Sequence, residues 1–141
     1  MATNIARPRL ASFLSSAKSM YVSACAAEIE DFPHLLAEHR VRDVAITGIF
    51  SPLVNRRSYA NEQMDVRVRT FFLTQDLKRH LTSGIVDYCP WRYSAINRWM
   101  TAAPRFDTAF VMMTPPDARG MCSLRVQTDF LPSFHTKIDR I

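Results

Sequence analysis

Short runs of apolar and β-branched residues alternate along the chain with segments of helical character. DVAITGIF (43–50) and FDTAFVMM (106–113) are apolar at almost every position, as in strands that are covered on both sides of a sheet. The order that the sequence indicates is helix, strand, helix, strand, strand, helix, strand, helix, strand, turn and strand. This alternation predicts an α/β domain with an open, largely parallel sheet and flanking helices.

Caps and periodicity indicate where several elements lie. Asp31 is placed to cap one helix, and Thr74 is placed to cap another that ends at Gly84. VRVRTFFL (66–73) alternates between two faces, as a strand does. The intervening SPLVNRRSYANEQMD (51–65) is polar and irregular, so we expect it to be a surface excursion.

The length of 141 residues and a hydrophobic content of 48% suit a single globular domain. We expect a helical segment over residues 1–19, followed by the α/β domain over residues 20–141. No stretch approaches the roughly 18 to 20 uncharged residues that a membrane span requires, so the sequence predicts a soluble protein without a membrane partner. The segment FHTKIDRI (134–141) looks like a helix that leads into a next core strand, so we expect the domain to be incomplete at its C-terminus.

The cysteines and histidines give little sign of a disulfide or a metal site. Cys25, Cys89 and Cys122 are odd in number and far apart, which favours a reducing, cytoplasmic compartment over a disulfide framework. The four histidines have no paired-ligand spacing, so no zinc site is expected. Cys25 and Cys122 lie in or next to two loops that follow strands and are described below. A histidine is near neither cysteine in sequence, so catalysis by a thiol is not favoured.

The net charge of +5 invites an anionic partner, which could be nucleic acid, a membrane surface or a phosphorylated small molecule. A nucleic-acid-binding domain is the rival hypothesis, with Tyr59, Phe71 and Phe72 available to stack on bases. The sequence has no helix-turn-helix, RRM or zinc-finger spacing, and a solvated basic face explains the charge more simply. The main basic cluster comprises Arg56, Arg57, Arg67, Arg69, Lys78 and Arg79.

Two loops follow strands at the end of the sheet where ligands bind in parallel α/β folds. They are SACAAEIED (23–31) and TPPDARG (114–120). TPPDARGMCSLRVQTD (114–129) resembles the SPPDxxGxxSLGxxxD segment of the acetyl-CoA hydrolase and 4-hydroxybutyrate CoA-transferase family. YVSACAAEIEDFPHLLAE (21–38) resembles that family's first strand and substrate loop, and RTFFLTQDLKRHLTSGIVDYCPWRYSAI (69–96) resembles its strand, helix and (A/V)DYxP segment.

The resemblance spans roughly residues 20–141 and implies an enzyme that exchanges CoA between an acyl-CoA thioester and a carboxylate, or hydrolyses the thioester. No cofactor is implied, because coenzyme A enters as part of the substrate. In the family, a glutamate attacks the thioester and becomes a glutamyl-CoA intermediate. That glutamate lies in a C-terminal domain, so the resemblance implies a second protein chain as partner and no catalytic residue in this one.

The resemblance also implies which residues line the substrate site. Glu28 matches the glutamate of the family's A-A-E-P and is expected as a substrate-loop residue or as a loop carboxylate bonded to nearby amides. Ala24 and Arg125 stand where the family has glycine, which counts against ordinary activity. The alternative reading is a non-catalytic interaction or acyl-CoA-binding subunit. The expected substrate-binding residues are Ala24, Cys25, Ala26, Ala27, Glu28, Pro116, Asp117, Gly120 and Ser123.

Overall fold

A computed structural model describes residues 7–102, 106–124 and 127–141 of the chain. Strands pair in the order β4-β3-β2-β1-β5, and every pair is parallel. The α/β class with a parallel sheet is therefore confirmed. The strands are β1 (Ser19–Val22), β2 (Val44–Gly48), β3 (Val66–Thr70), β4 (Val86–Tyr88) and β5 (Thr108–Phe110).

Helices cover both faces of the sheet. They are α1 (Arg7–Ser16), α2 (Phe32–Glu38), α3 (Gln75–Arg79), α4 (Tyr93–Ala102) and α5 (Leu131–Phe134), with 3-10 turns over Cys25–Ala27 and His135–Lys137. The first core cluster joins one face of the sheet to α1, α2 and α3 through Leu14, Phe32 and Leu77. The second joins the other face to α4 and α5. Period-two alternation along each strand supplies both clusters.

The two caps expected from the sequence differ in the structure. The Thr74 hydroxyl accepts a hydrogen bond from Leu77 N, as predicted. Asp31 occupies the N-cap position of α2, but its side chain makes no capping hydrogen bond. The prediction that Asp31 caps this helix through its carboxylate is therefore wrong, although the position of the helix start is right.

The last part of the chain has less strand than the sequence indicated. β5 covers only three residues, and Val111, Met112 and Met113 are half-buried and outside any strand. The strand expected after the turn is not found in the described residues 121–124 and 127–130. A short helix and a 3-10 turn come next, after which Arg140 pairs in parallel with Thr108.

Asp107 fixes the register between β1 and the segment that enters β5. Its carboxylate accepts hydrogen bonds from Lys18 N at 2.7 Å and Ser19 N at 2.9 Å. Arg140 lies 3.4 Å from the same carboxylate. Three segments that are distant in sequence therefore meet at the amino end of β1.

Gly48 stands at the end of β2, where backbone and ring approach closely. A Cβ built there would lie 2.6 Å from Phe50 Cζ and 3.0 Å from Val22 O. The Phe50 ring is itself fully buried and lies 4.6 Å from the Tyr59 ring, centroid to centroid. Glycine is therefore required here by space, since no positive φ is recorded at this position.

Candidate functional site

The chain changes direction along the sheet at β1. The strands β2, β3 and β4 lie on one side of it, and β5 lies on the other. The strand order therefore reverses between β1 and β5, and such a topological switch point is where open parallel α/β sheets bind ligands. Ser23 joins the two sides, because its N–H donates to Phe110 O at 2.9 Å and its hydroxyl accepts from Met112 N at 3.0 Å.

Asn55 holds the loop after β1, Ala24–Glu28, through hydrogen bonds. Asn55 Oδ1 accepts from Cys25 N at 2.9 Å and from Ser51 N at 2.7 Å, while its Nδ2 donates to Cys25 O at 3.0 Å. The side chain is only 2% exposed. Asn55 thus ties the loop after β2 to the loop after β1, and it binds both the N–H and the carbonyl oxygen of Cys25.

Cys25 occupies a left-handed backbone conformation, with φ at +50°. Its thiol donates to Ile49 O at 2.8 Å, and burial raises the pKa of that thiol above its ordinary value. A buried thiol that already donates a hydrogen bond stays protonated near neutral pH. These contacts agree with a structural cysteine that helps to position the loop.

Gln127 and Asp129 approach the same loop from the far side. Gln127 Oε1 accepts from Ala26 N at 2.7 Å, and Gln127 Nε2 donates to Asp129 Oδ1 at 2.6 Å. Burial raises the pKa of the Asp129 carboxyl, partly offset by the hydrogen bond from Gln127. Asp129 also has a positive φ of 43°, a conformation that aspartate and asparagine tolerate better than most residues.

Glu28, at the end of the loop, meets a buried tyrosine. The Tyr59 hydroxyl donates to Glu28 Oε1 at 3.1 Å. Burial, and then the Glu28 carboxylate, raise the pKa of Tyr59 far above its ordinary value, so the phenol remains a donor. Glu28 therefore accepts its bond from a side chain, whereas the sequence suggested nearby backbone amides.

The turn in the second candidate loop satisfies its own polar groups. Asp117 Oδ1 accepts from Arg119 N at 2.8 Å and Met121 N at 2.9 Å, and Gly120 adopts φ of +76°. Asp117 and Gly120 are exposed, as are Pro116 and Ser123. The stiffness of this turn thus has a local explanation in Asp and Gly turn chemistry.

The predicted site residues therefore fall into two groups. The first group packs around the switch point and comprises Ala24, Cys25, Ala26, Ala27 and Glu28. The second group, Pro116, Asp117, Gly120 and Ser123, lies on a projecting turn, and Arg125 is outside the described residues. The role of either group in binding a substrate stays a prediction.

Sequence reasoning missed four residues that shape the loop: Asn55, Tyr59, Gln127 and Asp129. Asn55 and Tyr59 are buried, although their segment was expected to be a surface excursion. An apolar pattern gives no signal for Asn55, because its burial depends on hydrogen bonds to the backbone of Cys25 and Ser51. Asp129 could have been found, since it matches the last aspartate of the SPPDxxGxxSLGxxxD segment.

A groove of about 310 Å³ lies elsewhere, on the second face of the sheet near the amino ends of the strands. Its lining includes Arg67, Arg69 and Trp99. Arg67 lies 2.8 Å from an Asp43 carboxylate oxygen, and Arg69 lies 2.6 Å from Asp87. The charges of this groove are matched within the chain, so we place the candidate site at the switch point, where loops converge.

Carboxylates lie beside most residues of the expected basic cluster. Besides Arg67 and Arg69, Arg79 pairs with Asp76 at 3.1 Å, and Arg57 lies 3.8 Å from Glu30. Four of the six cations thus have carboxylate neighbours. In the part of the chain that the structure describes, no helix is long and apolar enough to cross a membrane. The same residues contain no group of three His, Cys, Asp or Glu side chains that could hold a metal ion.

Because the Asp129 carboxyl is half-buried, we expect Asp129→Asn to raise the free energy of unfolding. The folded state holds this proton to a higher pH than the unfolded state. The stability from this group is therefore greatest below the unfolded pKa and is lost as pH rises through the folded pKa. Asparagine keeps the acceptor for Gln127 and tolerates positive φ. We expect a gain in the free energy of unfolding at pH 7 of less than about 1 kcal/mol, since water screens a partly exposed charge.

Urea unfolding of both proteins at pH 7 and at pH 4 measures this effect. The difference between them should shrink at the lower pH, because protonation of Asp129 removes the charge that asparagine replaces. An equal difference at both pH values would contradict the assignment of the effect to ionisation.

Comparison with known proteins identifies the fold. No family model and no curated protein match this sequence. Its structure is similar to the crystal structure of RipA from Yersinia pestis, with a TM-score of 0.71 and 19% sequence identity. The alignment covers 92% of this chain and 34% of that one, so this chain spans about a third of the length of RipA. At this identity the similarity establishes a shared α/β fold.

Proposed function

We propose that this chain forms the substrate-loop side of an acyl-CoA site in a CoA-transferase or acyl-CoA hydrolase. The observation that carries the proposal is the ordered loop Ala24–Glu28 at the switch point of the sheet. Its backbone is fixed by Asn55, Ser23 and Gln127, so its N–H groups have set directions. The Cys25 and Ala26 N–H groups already donate to Asn55 and Gln127, so such an amide would stabilise the charge that develops on a thioester carbonyl oxygen once its internal acceptor has left.

The proposed reaction passes CoA from one acyl group to another carboxylate. A glutamate carboxylate attacks the acyl-CoA carbonyl and expels the CoA thiolate, which leaves an acyl-glutamyl anhydride. The thiolate then attacks the glutamyl carbonyl of the anhydride, which releases the first carboxylate and leaves glutamyl-CoA. The acceptor carboxylate attacks the carbonyl of glutamyl-CoA and expels the thiolate, and the thiolate then attacks the acceptor's carbonyl in the new anhydride, which gives the second acyl-CoA and frees the glutamate. In a hydrolase, water attacks glutamyl-CoA instead and releases free CoA and the glutamate.

The attacking glutamate is assigned to a second polypeptide. Glu28 is already engaged by Tyr59, so the loop's own carboxylate accepts a hydrogen bond in place of attacking a substrate. The partner is therefore a chain with a C-terminal domain of CoA-transferase type. We place the complex in the cytoplasm, because Cys25, Cys89 and Cys122 are free thiols.

Purification of the protein from its own source, with every co-eluting chain identified, is the first test. The purified material is then given butyryl-CoA and isotopically labelled acetate. We expect a stoichiometric partner and the appearance of label in acetyl-CoA. Release of free CoA without labelled acetyl-CoA would identify a hydrolase. No turnover of any donor or acceptor with an intact partner present would contradict the proposal.

A second candidate is a non-catalytic interaction or acyl-CoA-binding subunit. It is favoured by exposed apolar side chains on the loops near the switch point, with Leu53 86% exposed and Met121 67% exposed. This candidate predicts a stable complex, or retention on immobilised CoA, without turnover. A monomer of 16.2 kDa that binds no CoA compound would count against both candidates.

A further inference from the structure

Two successive N–H groups of the loop after β1 donate to side-chain amide oxygens. Cys25 N donates to Asn55 Oδ1 at 2.9 Å, and Ala26 N donates to Gln127 Oε1 at 2.7 Å. The next N–H, that of Ala27, closes the turn onto Ala24 O at 3.0 Å. The bonds of Cys25 and Ala26 thus depend on side chains from other segments of the chain.

The two amide side chains are held very differently. Asn55 is buried and makes three hydrogen bonds to backbone groups, so removing it would take the loop apart. Gln127 is half-buried, and its contacts with the loop are the Ala26 N–H, on an exposed residue, and the Cys25 side chain. We therefore expect the Gln127 contacts to break more readily than the three hydrogen bonds of the buried Asn55.

The oxygen of Gln127 has the same chemistry as an acyl carbonyl oxygen. Both are sp² oxygens that accept a hydrogen bond from a backbone N–H near the plane of the carbonyl group. A ligand carbonyl that reached Ala26 would restore the bond lost when Gln127 leaves. The exchange would cost little, because one protein hydrogen bond would be replaced by an equivalent one.

Asp129 decides which kind of oxygen fits. Gln127 Nε2 donates to Asp129 Oδ1 at 2.6 Å, so a half-buried carboxylate lies about one amide group away from Ala26 N. A ligand carboxylate placed on Ala26 would face this negative charge in partly desolvated surroundings, where repulsion is strong. A neutral carbonyl, such as that of a thioester, would not.

We propose that the Gln127 side chain is an internal, displaceable occupant of a carbonyl-binding position at Ala26 N, and that this position takes a neutral acyl carbonyl in preference to a carboxylate. Gln127 is therefore a self-blocking residue whose departure opens the loop. The choice of a thioester as ligand rests on the proposed function, whereas the occupancy by Gln127 rests on the contacts alone.

The test follows the Ala26 amide signal by NMR in the ¹⁵N-labelled full chain. Acetyl-CoA, coenzyme A and acetate are titrated separately into the wild-type protein, Gln127→Ala and the control Gln63→Ala, which changes an exposed glutamine. Comparison of acetyl-CoA with coenzyme A isolates the acyl carbonyl. Gln127→Met, which keeps the length of the side chain but replaces the amide oxygen with a weakly accepting thioether, replaces the alanine variant if that variant unfolds.

We expect acetyl-CoA, but not coenzyme A, to shift the Ala26 signal, and Gln127→Ala to bind acetyl-CoA roughly 5-fold more tightly than wild type, since about 1 kcal/mol of internal competition is removed. Gln63→Ala should match wild type. Weaker binding by Gln127→Ala, or acetate binding more tightly than acetyl-CoA at Ala26, would overturn the inference.

Two results separate this inference from the proposed function. If acetyl-CoA and coenzyme A bind equally and leave Ala26 unchanged in every variant, the inference fails while CoA binding stands. If no CoA compound binds, but the small thioester S-acetyl-N-acetylcysteamine shifts Ala26 more strongly in Gln127→Ala, the inference stands and the role of CoA fails. The absence of any response at Ala26 to all of these probes overturns the inference.

Discussion

Replacement of Asn55 by alanine should lower the free energy of unfolding by about 3 kcal/mol. The substitution removes the partners of Cys25 N, Cys25 O and Ser51 N together, and a buried polar group left without a partner costs about 1 to 3 kcal/mol. The total is smaller than the sum of these costs, because the loop relaxes and water enters to pair with some of the freed groups. Chemical denaturation with a two-state fit measures the change.

The matched control is Asn97→Ala in α4. Asn97 Oδ1 is buried and accepts no hydrogen bond from the residues that the structure describes, and alanine is the better helix former. This variant should be neutral or slightly stabilising. If Asn55→Ala and Asn97→Ala had equal effects, the clamp on Cys25 would not be a source of stability. Amide exchange at Cys25, faster only in Asn55→Ala, would locate the loss at the loop.

Gly48→Ala should lower the free energy of unfolding by about 1 to 3 kcal/mol, the usual cost of overfilling a packed core. The added methyl group would meet the Phe50 ring at 2.6 Å, and that ring cannot move freely because Tyr59 packs on it. Thermal unfolding of the two proteins measures the difference.

A second background makes the cause of this loss testable. In Phe50→Leu the ring atoms that the new methyl group meets are gone, so the added cost of Gly48→Ala should fall to less than half of its value in the wild-type background. Such non-additivity is the signature of two residues in direct contact. Equal costs in both backgrounds would mean that the backbone at Val22 O, and not Phe50, limits the space.

Most of the fold could be predicted because strand and helix leave strong periodic signals. VRVRTFFL alternates, and the structure buries Val66, Val68 and Thr70 on one side while Arg67 is exposed. The strand predicted over FDTAFVMM is too long, because an apolar run does not show where strand pairing stops. β1 offers the neighbouring strand only three residues to pair with, so β5 ends at Phe110 although the sequence remains apolar.

The candidate site was only half accessible to sequence reasoning. The loop Ala24–Glu28 follows a strand and could be placed from local pattern alone. Its supports come from residues 30 to 100 positions away, and nothing in their local sequence distinguishes Asn55 or Gln127 from an exposed polar side chain. A hydrogen-bonded clamp is defined by its partners, which only the tertiary structure brings together.

The position of β1 between β2 and the edge strand β5 has a consequence for how the chain folds. One edge of β1 pairs with β2 within about thirty residues, but the other edge waits for β5, whose contact with Ser19 is made through Asp107, 88 positions later. Pairings across such separations close late and slow folding. In a nascent chain that has not yet reached β5, one edge of β1 is unpaired, and such open edges pair readily with other chains. The Asp107 contacts therefore form late, and correct folding depends on β5 pairing with β1 before a strand of another chain does.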